Sequence, residues 1–162
     1  ILCRMRGLDP EGTVTVIYTP CYLNGSDGIF NKPYYDLLIG MDATVFPSYY
    51  EPWGYTPLES VAFGVPTITT SLSGFGQWVC RTFTNDFENC GVVVVDRTDS
   101  NYEMVAESIA TSLEFLCGCG AEEEKKIAEK ARATASCAKW EQFAAFYETA
   151  FDIALSNAAT RK

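Results

Sequence analysis

Two glutamates, Glu51 and Glu59, stand on either side of the segment Pro52-Trp53-Gly54-Tyr55-Thr56-Pro57-Leu58. Carboxylates accept strong hydrogen bonds from hydroxyl groups, so two of them facing one cleft suit a ribose and a hexose. The same segment carries the signals of a helix start. Pro57 suits the first helical position, Thr56 can cap it, and Glu59 then falls on the third position, a capping-box spacing. The amides of Gly54, Tyr55 and Thr56 would point outward there, where no intrahelical carbonyl is available to them. Such amides attract phosphate, with about 0.3–1 kcal/mol from the helix dipole alone in an exposed setting. Spacing by itself decides nothing, because Glu114 and Glu122 repeat it within a helical stretch. Glu59 equally suits an acid that favours the helix dipole, Glu51 an exposed loop acid, and Trp53 and Tyr55 hydrophobic packing under the loop.

Strands and helices must hold this segment in place. Short apolar runs alternate with amphipathic stretches, the pattern of a parallel α/β sheet. Strands are predicted over Thr13–Tyr18, Ala43–Phe46, Val65–Thr70 and Gly91–Asp96, the last near-continuously apolar, as a strand buried on both faces should be. A loop rich in Gly, Asn and Asp spans Asn24–Lys32, and Pro33 opens a helix over Tyr34–Met41. Ser71–Gly76 reads as a turn leading into a short helix. Beyond Asn101 the pattern is helical: Tyr102–Phe115 with Val105, Ile109, Leu113 and Leu116 on one face, then Ala121–Arg132, then the aromatic Ser136–Leu155. In open parallel sheets ligands sit outside the carboxyl ends of the strands. The loops Phe46–Glu59 and Ser71–Gly76 both leave such ends.

Composition narrows the function classes. The 162 residues are 48% hydrophobic and 20% charged, which describes one soluble globular domain. The formal net charge of −9 argues against a nucleic-acid partner, which would need a basic stripe. No apolar run approaches the roughly 20 residues of a membrane helix. The first residues lack the design of a signal peptide, and the missing initiator Met implies that the chain begins within something longer. Seven cysteines, an odd and scattered set, read as reduced thiols rather than a disulfide framework. The complete absence of His removes Ser-His and Cys-His nucleophile schemes, and with no CxxC pair it argues against a zinc site.

The run VFPSYYEPWGYTPLESVAFGVPTITTSLSGFG, Val45 to Gly76, resembles the corresponding stretch of the animal and fungal type of glycogen synthase. There, F-P-S-Y-Y-E-P-W-G-Y-T-P is followed by an acid and then by S-G-F-G. The resemblance implies a Rossmann-like parallel sheet flanked by helices, with a helical C-terminal end. It would be the donor-binding C-terminal domain of a GT-B glycosyltransferase, with residues 1–162 forming a single partial domain and the acceptor-side N-terminal domain absent. Such enzymes transfer glucose from a nucleotide donor, UDP-glucose or ADP-glucose, to the 4-hydroxyl of an α-1,4-glucan with retention. They need no metal and no other cofactor.

On this resemblance Glu51 is the catalytic residue that contacts the donor glucose, and Glu59 contacts the ribose. Gly54, Tyr55 and Thr56 match the turn whose amides hold the sugar and the distal phosphate, and Trp53 joins them at the donor. Tyr34, seventeen residues before Glu51, falls where the family sets an aromatic ring against the uracil, although Tyr35 stands beside it. Stacking of that kind is worth about 1–3 kcal/mol by analogy with base–aromatic contacts. The chain also departs from the family. Arg4 and Arg6 do not reproduce the basic pair that neutralises the leaving diphosphate, and no arginine cluster for glucose 6-phosphate follows the S-G-F-G block.

The implied partners are the nucleotide-sugar donor and, through the missing domain, an α-glucan acceptor. A homo-oligomer is compatible, whereas nucleic acid and membrane are not expected. The implied location is cytoplasmic, and the isolated chain should be inactive. Two rivals remain: another GT-B transferase of the sucrose-synthase or cell-wall kind, and a non-catalytic binding module on the same fold.

Overall fold

The computed structural model describes residues 14–160, which fall in two compact units divided between Gly40 and Met41. In the first unit Asp27 accepts hydrogen bonds from the amides of Ile29, Phe30 and Asn31, which holds the predicted loop in a turn. Helix α1 (Tyr34–Leu38) follows, with Pro33 at its N-cap and Leu38 buried. It stops short of the predicted Met41.

The strand expected over Thr13–Tyr18 does not form across the described residues of that run. Residues 14–18 are irregular, and Val14, Ile17 and Tyr18 are more than half exposed, while Thr13 lies outside the described residues. A β-branched run favours a pleated surface only where a neighbouring strand completes it. The sheet of the described residues is built from three other strands.

The second unit carries a parallel sheet in the order β1-β2-β3, built from β1 (Thr44–Val45), β2 (Thr67–Thr70) and β3 (Val92–Val95). Its register sets Thr44 beside Thr67 and Thr67 beside Val92. Helices α2 (Tyr55–Phe63), α3 (Gly74–Thr82) and the short α4 (Phe87–Cys90) make the crossovers. Helices α5 (Tyr102–Gly118), α6 (Ala121–Cys137) and α7 (Trp140–Thr160) close the chain. The predicted long final helix is split, because Ser136 and Cys137 end α6 and a break at Ala138–Lys139 precedes α7.

Alternation along β3 divides the core between the two faces of the sheet. Val92 and Val94 pack with Val61, Phe75, Val79, Cys90 and Ala131. Val95 packs with Ile68, Phe87, Val105 and Ile127, and with Ile109, Leu113 and Leu116 at its margin. The apolar stripe read for α5 is therefore the one that it buries. Strand β2 is polar by composition yet wholly buried, and its hydroxyls are all engaged. Thr67 bonds Thr44 and the Val65 carbonyl, Thr69 bonds Ser73, and Thr70 donates to the Ser48 carbonyl.

The six cysteines among the described residues are free thiols. Burial pushes the Cys90 thiol up, so it remains a protonated core group. Among the described residues no helix is long and apolar enough to cross a membrane.

At the β3 edge the side chain of Asn85 replaces a missing strand. Its amide nitrogen donates to the Val94 carbonyl at 2.9 Å, and its oxygen accepts from the Val94 amide at 2.6 Å. Asn85→Ala leaves both groups unpaired beside a buried valine. It is expected to lower stability by about 1–3 kcal/mol, read as a shifted denaturant midpoint with unchanged slope.

Candidate functional site

The loop between β1 and α2 is strapped to the rest of the sheet at several residues along its length. Thr70 Oγ1 donates to the Ser48 carbonyl at 2.7 Å, and an Arg97 guanidinium nitrogen donates to the Pro47 carbonyl at 2.9 Å. The Glu51 amide donates to the Leu72 carbonyl at 3.1 Å, while Glu51 O accepts from the Gly74 amide at 3.0 Å. The Phe75 amide donates to Trp53 O at 2.6 Å. The two loops singled out by composition are thus one structure, with Glu51 bridged in parallel to Ser73.

Helix α2 begins at Tyr55 with Gly54 as its N-cap, so Thr56 is not the cap and the capping box does not form. Gly54 adopts φ +110°, ψ 72°, a left-handed conformation open to glycine, and this lets the helix start two residues earlier than the sequence signals suggest. Pro57 becomes the third helical residue, where its missing N–H is one the helix could not satisfy anyway. Glu59 becomes the fifth.

The consequence for chemistry is favourable. The amides of Gly54, Tyr55 and Thr56 find no acceptor among the described residues, and Tyr55 and Thr56 are exposed. The stem of Glu51 passes this helix start: a Cβ built on Gly54 would lie 3.4 Å from Glu51 Cγ. Glu51 is half-buried, as is Glu59, which stands one turn behind Tyr55 on the same face of α2. One loop therefore carries a carboxylate, bare amides and a helix dipole aimed the right way for an anion.

Two predicted residues remain, Trp53 and Tyr34. Trp53 is half-buried in an aromatic cluster, with ring centroids 6.2 Å from Phe75, 6.1 Å from Trp78 and 5.4 Å from Phe143. Its outer side and Tyr55 border an apolar cleft of about 510 Å³ that Trp140, Phe143 and Tyr147 of α7 also line. Tyr34 belongs to the first unit, half-buried at the start of α1, with its ring 5.4 Å from that of Tyr35. Among the described residues no group of three or more acidic, thiol or imidazole side chains gathers in a metal-binding arrangement.

Two supporting residues escaped the sequence. Ser73, fully buried, caps α3 by accepting from the Gly76 amide at 2.9 Å and donates to the Thr70 carbonyl. Three residues before Gly76, it carries the ordinary N-cap signal, which could have been read. Arg97 is buried beneath the loop with its guanidinium carbon 3.5 Å from the centre of the Tyr49 ring. No local pattern marks it.

The family model described as glycogen synthase matches residues 4–162. Glycogen [starch] synthase of Caenorhabditis elegans is 32% identical over 148 residues, covering 91% of this chain and 22% of that protein. The liver glycogen [starch] synthase of Mus musculus is 33% identical over 148 residues, covering 90% and 20%. Isoform 2 of Saccharomyces cerevisiae is 38% identical over 108 residues, covering 66% and 15%. Among solved structures, that of WaaG, a glycosyltransferase involved in lipopolysaccharide biosynthesis, aligns with a TM-score of 0.46 and 24% identity over 65% of this chain and 26% of that one. The chain spans about a fifth of the length of the C. elegans and mouse relatives. With a match running across nearly all of its residues, this chain belongs to the glycogen synthase family.

Proposed function

We propose that this chain supplies the donor site of a retaining glucosyltransferase that extends an α-1,4-glucan from UDP-glucose. The observation that carries the reading is the start of α2, where unpaired amides at Tyr55 and Thr56 lie beside the Glu51 stem on a loop strapped at both ends. Donors fixed in advance at the place where charge develops cost no reorganisation during reaction. On this reading the diphosphate lies against the α2 start, the Glu51 carboxylate takes glucose hydroxyls, and Glu59 takes the ribose. For Tyr34 the base-stacking role is the one that the family resemblance implies, and the Trp53 ring packs among Phe75, Trp78 and Phe143. The charge on the leaving diphosphate is met by amides and by cations of the intact enzyme, so the transfer calls for neither a metal nor another cofactor. The glucan acceptor binds a part of the enzyme outside these residues, so the 162-residue chain alone should not turn over. The reading also implies a cytoplasmic enzyme.

Calorimetric titration of the full-length protein tests this. UDP-glucose should bind saturably, ahead of ADP-glucose and UDP-N-acetylglucosamine, and UDP should compete. Uridine should bind at least tenfold more weakly, because it lacks the phosphates that the helix start would hold. Equal binding of uridine and UDP would remove the diphosphate from this site.

A further inference from the structure

Arg97 is 6% exposed and is the charged side chain among the fully buried polar residues of the described chain. A buried cation is normally paired with a carboxylate. No carboxylate pairs with Arg97 among the described residues, and its enclosed Nε–H finds no acceptor. What the guanidinium does touch belongs to one short segment. Its Nη1 donates to the Pro47 carbonyl, fifty residues back, and its central carbon lies 3.5 Å from the centre of the Tyr49 ring. The Arg97 amide is itself fixed by Ser71 Oγ at 2.9 Å, and that hydroxyl donates to Asp96. The group is thus anchored to the carboxyl ends of β2 and β3 and reaches across to the loop that leads to Glu51.

We infer that Arg97 is a positioning residue for the donor loop: its guanidinium fixes Pro47 and Tyr49 and thereby sets the backbone at Glu51. The inference rests on the proposed donor role of Glu51 only for its catalytic consequence, since the positioning itself is a property of the free protein. A guanidinium can donate to a carbonyl from one nitrogen while its carbon sits over a ring, and the single ammonium of lysine cannot do both. Tyr49 is 57% exposed, so the ring alone has little packing to hold it in place.

Hydrogen exchange on the full-length protein tests the positioning without any ligand. The reporters are the amides of Glu51 and Gly74, which bridge the loop to the Leu72–Gly74 turn. In Arg97→Met both should exchange at least tenfold faster, while the amides of Val94 and Val95 in β3 keep their protection. Arg97→Lys should fall on the Met side, and Tyr49→Leu should add little once Arg97 is gone. Unchanged exchange at Glu51 and Gly74, or an equal rise across β3, would overturn the role. Should Arg97→Met fail to fold, Tyr49→Leu alone must give the same local signature, and its absence would also overturn it. UDP-glucose titration of the same variants keeps the two readings apart. Faster exchange in a protein that never binds the donor leaves the positioning role standing and removes the proposed function.

Discussion

Gly74→Ala in the full-length protein is expected to lower stability by about 1–3 kcal/mol and, on the proposed function, to reduce glucosyl transfer by on the order of 10²-fold. A Cβ at this position would meet the Pro52 carbonyl oxygen at 2.3 Å, with the Pro52 carbonyl carbon and Trp53 Cα at 3.1 Å. Real Cβ atoms do not approach within 3.0 Å, and every atom in the way is backbone rather than the end of a flexible side chain. The loop must therefore retreat by at least 0.7 Å, and it is the loop that carries Glu51. Two hydrogen bonds resist the retreat: from the Gly74 amide to Glu51 O and from the Phe75 amide to Trp53 O. Displacement and strain thus arrive together. Gly118→Ala is the matched control, since a Cβ there meets nothing within 4 Å. Denaturation midpoints and transfer rates measured on both variants decide the matter, and a Gly74 variant that behaves like the Gly118 one would contradict the account.

The parts of this structure that were legible in the sequence are those set by short-range patterns. A run of four valines with no polar alternation reads as a strand buried on both faces, and β3 is a strand with Val92, Val94 and Val95 buried. The spacing of Val105, Ile109, Leu113 and Leu116 described a real buried stripe. The two loops at the strand ends stood out by composition, and they turn out to bond to each other.

What stayed hidden depends on partners distant in sequence or on single dihedral angles. Residues 14–18 have strand composition, but composition cannot say whether a neighbouring strand is present to pair with. The start of α2 moved because Gly54 takes a positive φ, which no capping rule for Thr56 and Glu59 could foresee. Arg97 follows a strand and precedes a turn, a place where arginines usually face water. The groups its guanidinium touches, Pro47 and Tyr49, lie about fifty residues earlier. Trp53 suited both packing and ligand contact by type, and the geometry places its ring among Phe75, Trp78 and Phe143.

Glu51→Gln in the full-length protein is expected to cost glucosyl transfer on the order of 10²-fold while leaving the fold intact. The fold should survive because the bonds that hold position 51 are made by its backbone, to Leu72 and Gly74, and glutamine keeps them. The side chain keeps its length past Gly54 and loses only its charge. A hydrogen bond to a charged partner contributes about 1.5–3 kcal/mol, against about 0.5–1.5 kcal/mol for a neutral one. Two such bonds to a glucose hydroxyl pair, each weakened, account for a loss of the predicted size. The helix dipole cannot mask it, because about 0.3–1 kcal/mol amounts to only a few-fold in rate. If the carboxylate acts at the glucose as positive charge develops there, the loss falls on kcat more than on KM. Glu59→Gln, one turn into α2, should instead raise the KM for UDP-glucose with kcat nearly unchanged. Full transfer activity in the Glu51 variant would make this loop a scaffold rather than a donor site, and would favour a binding module on the same fold.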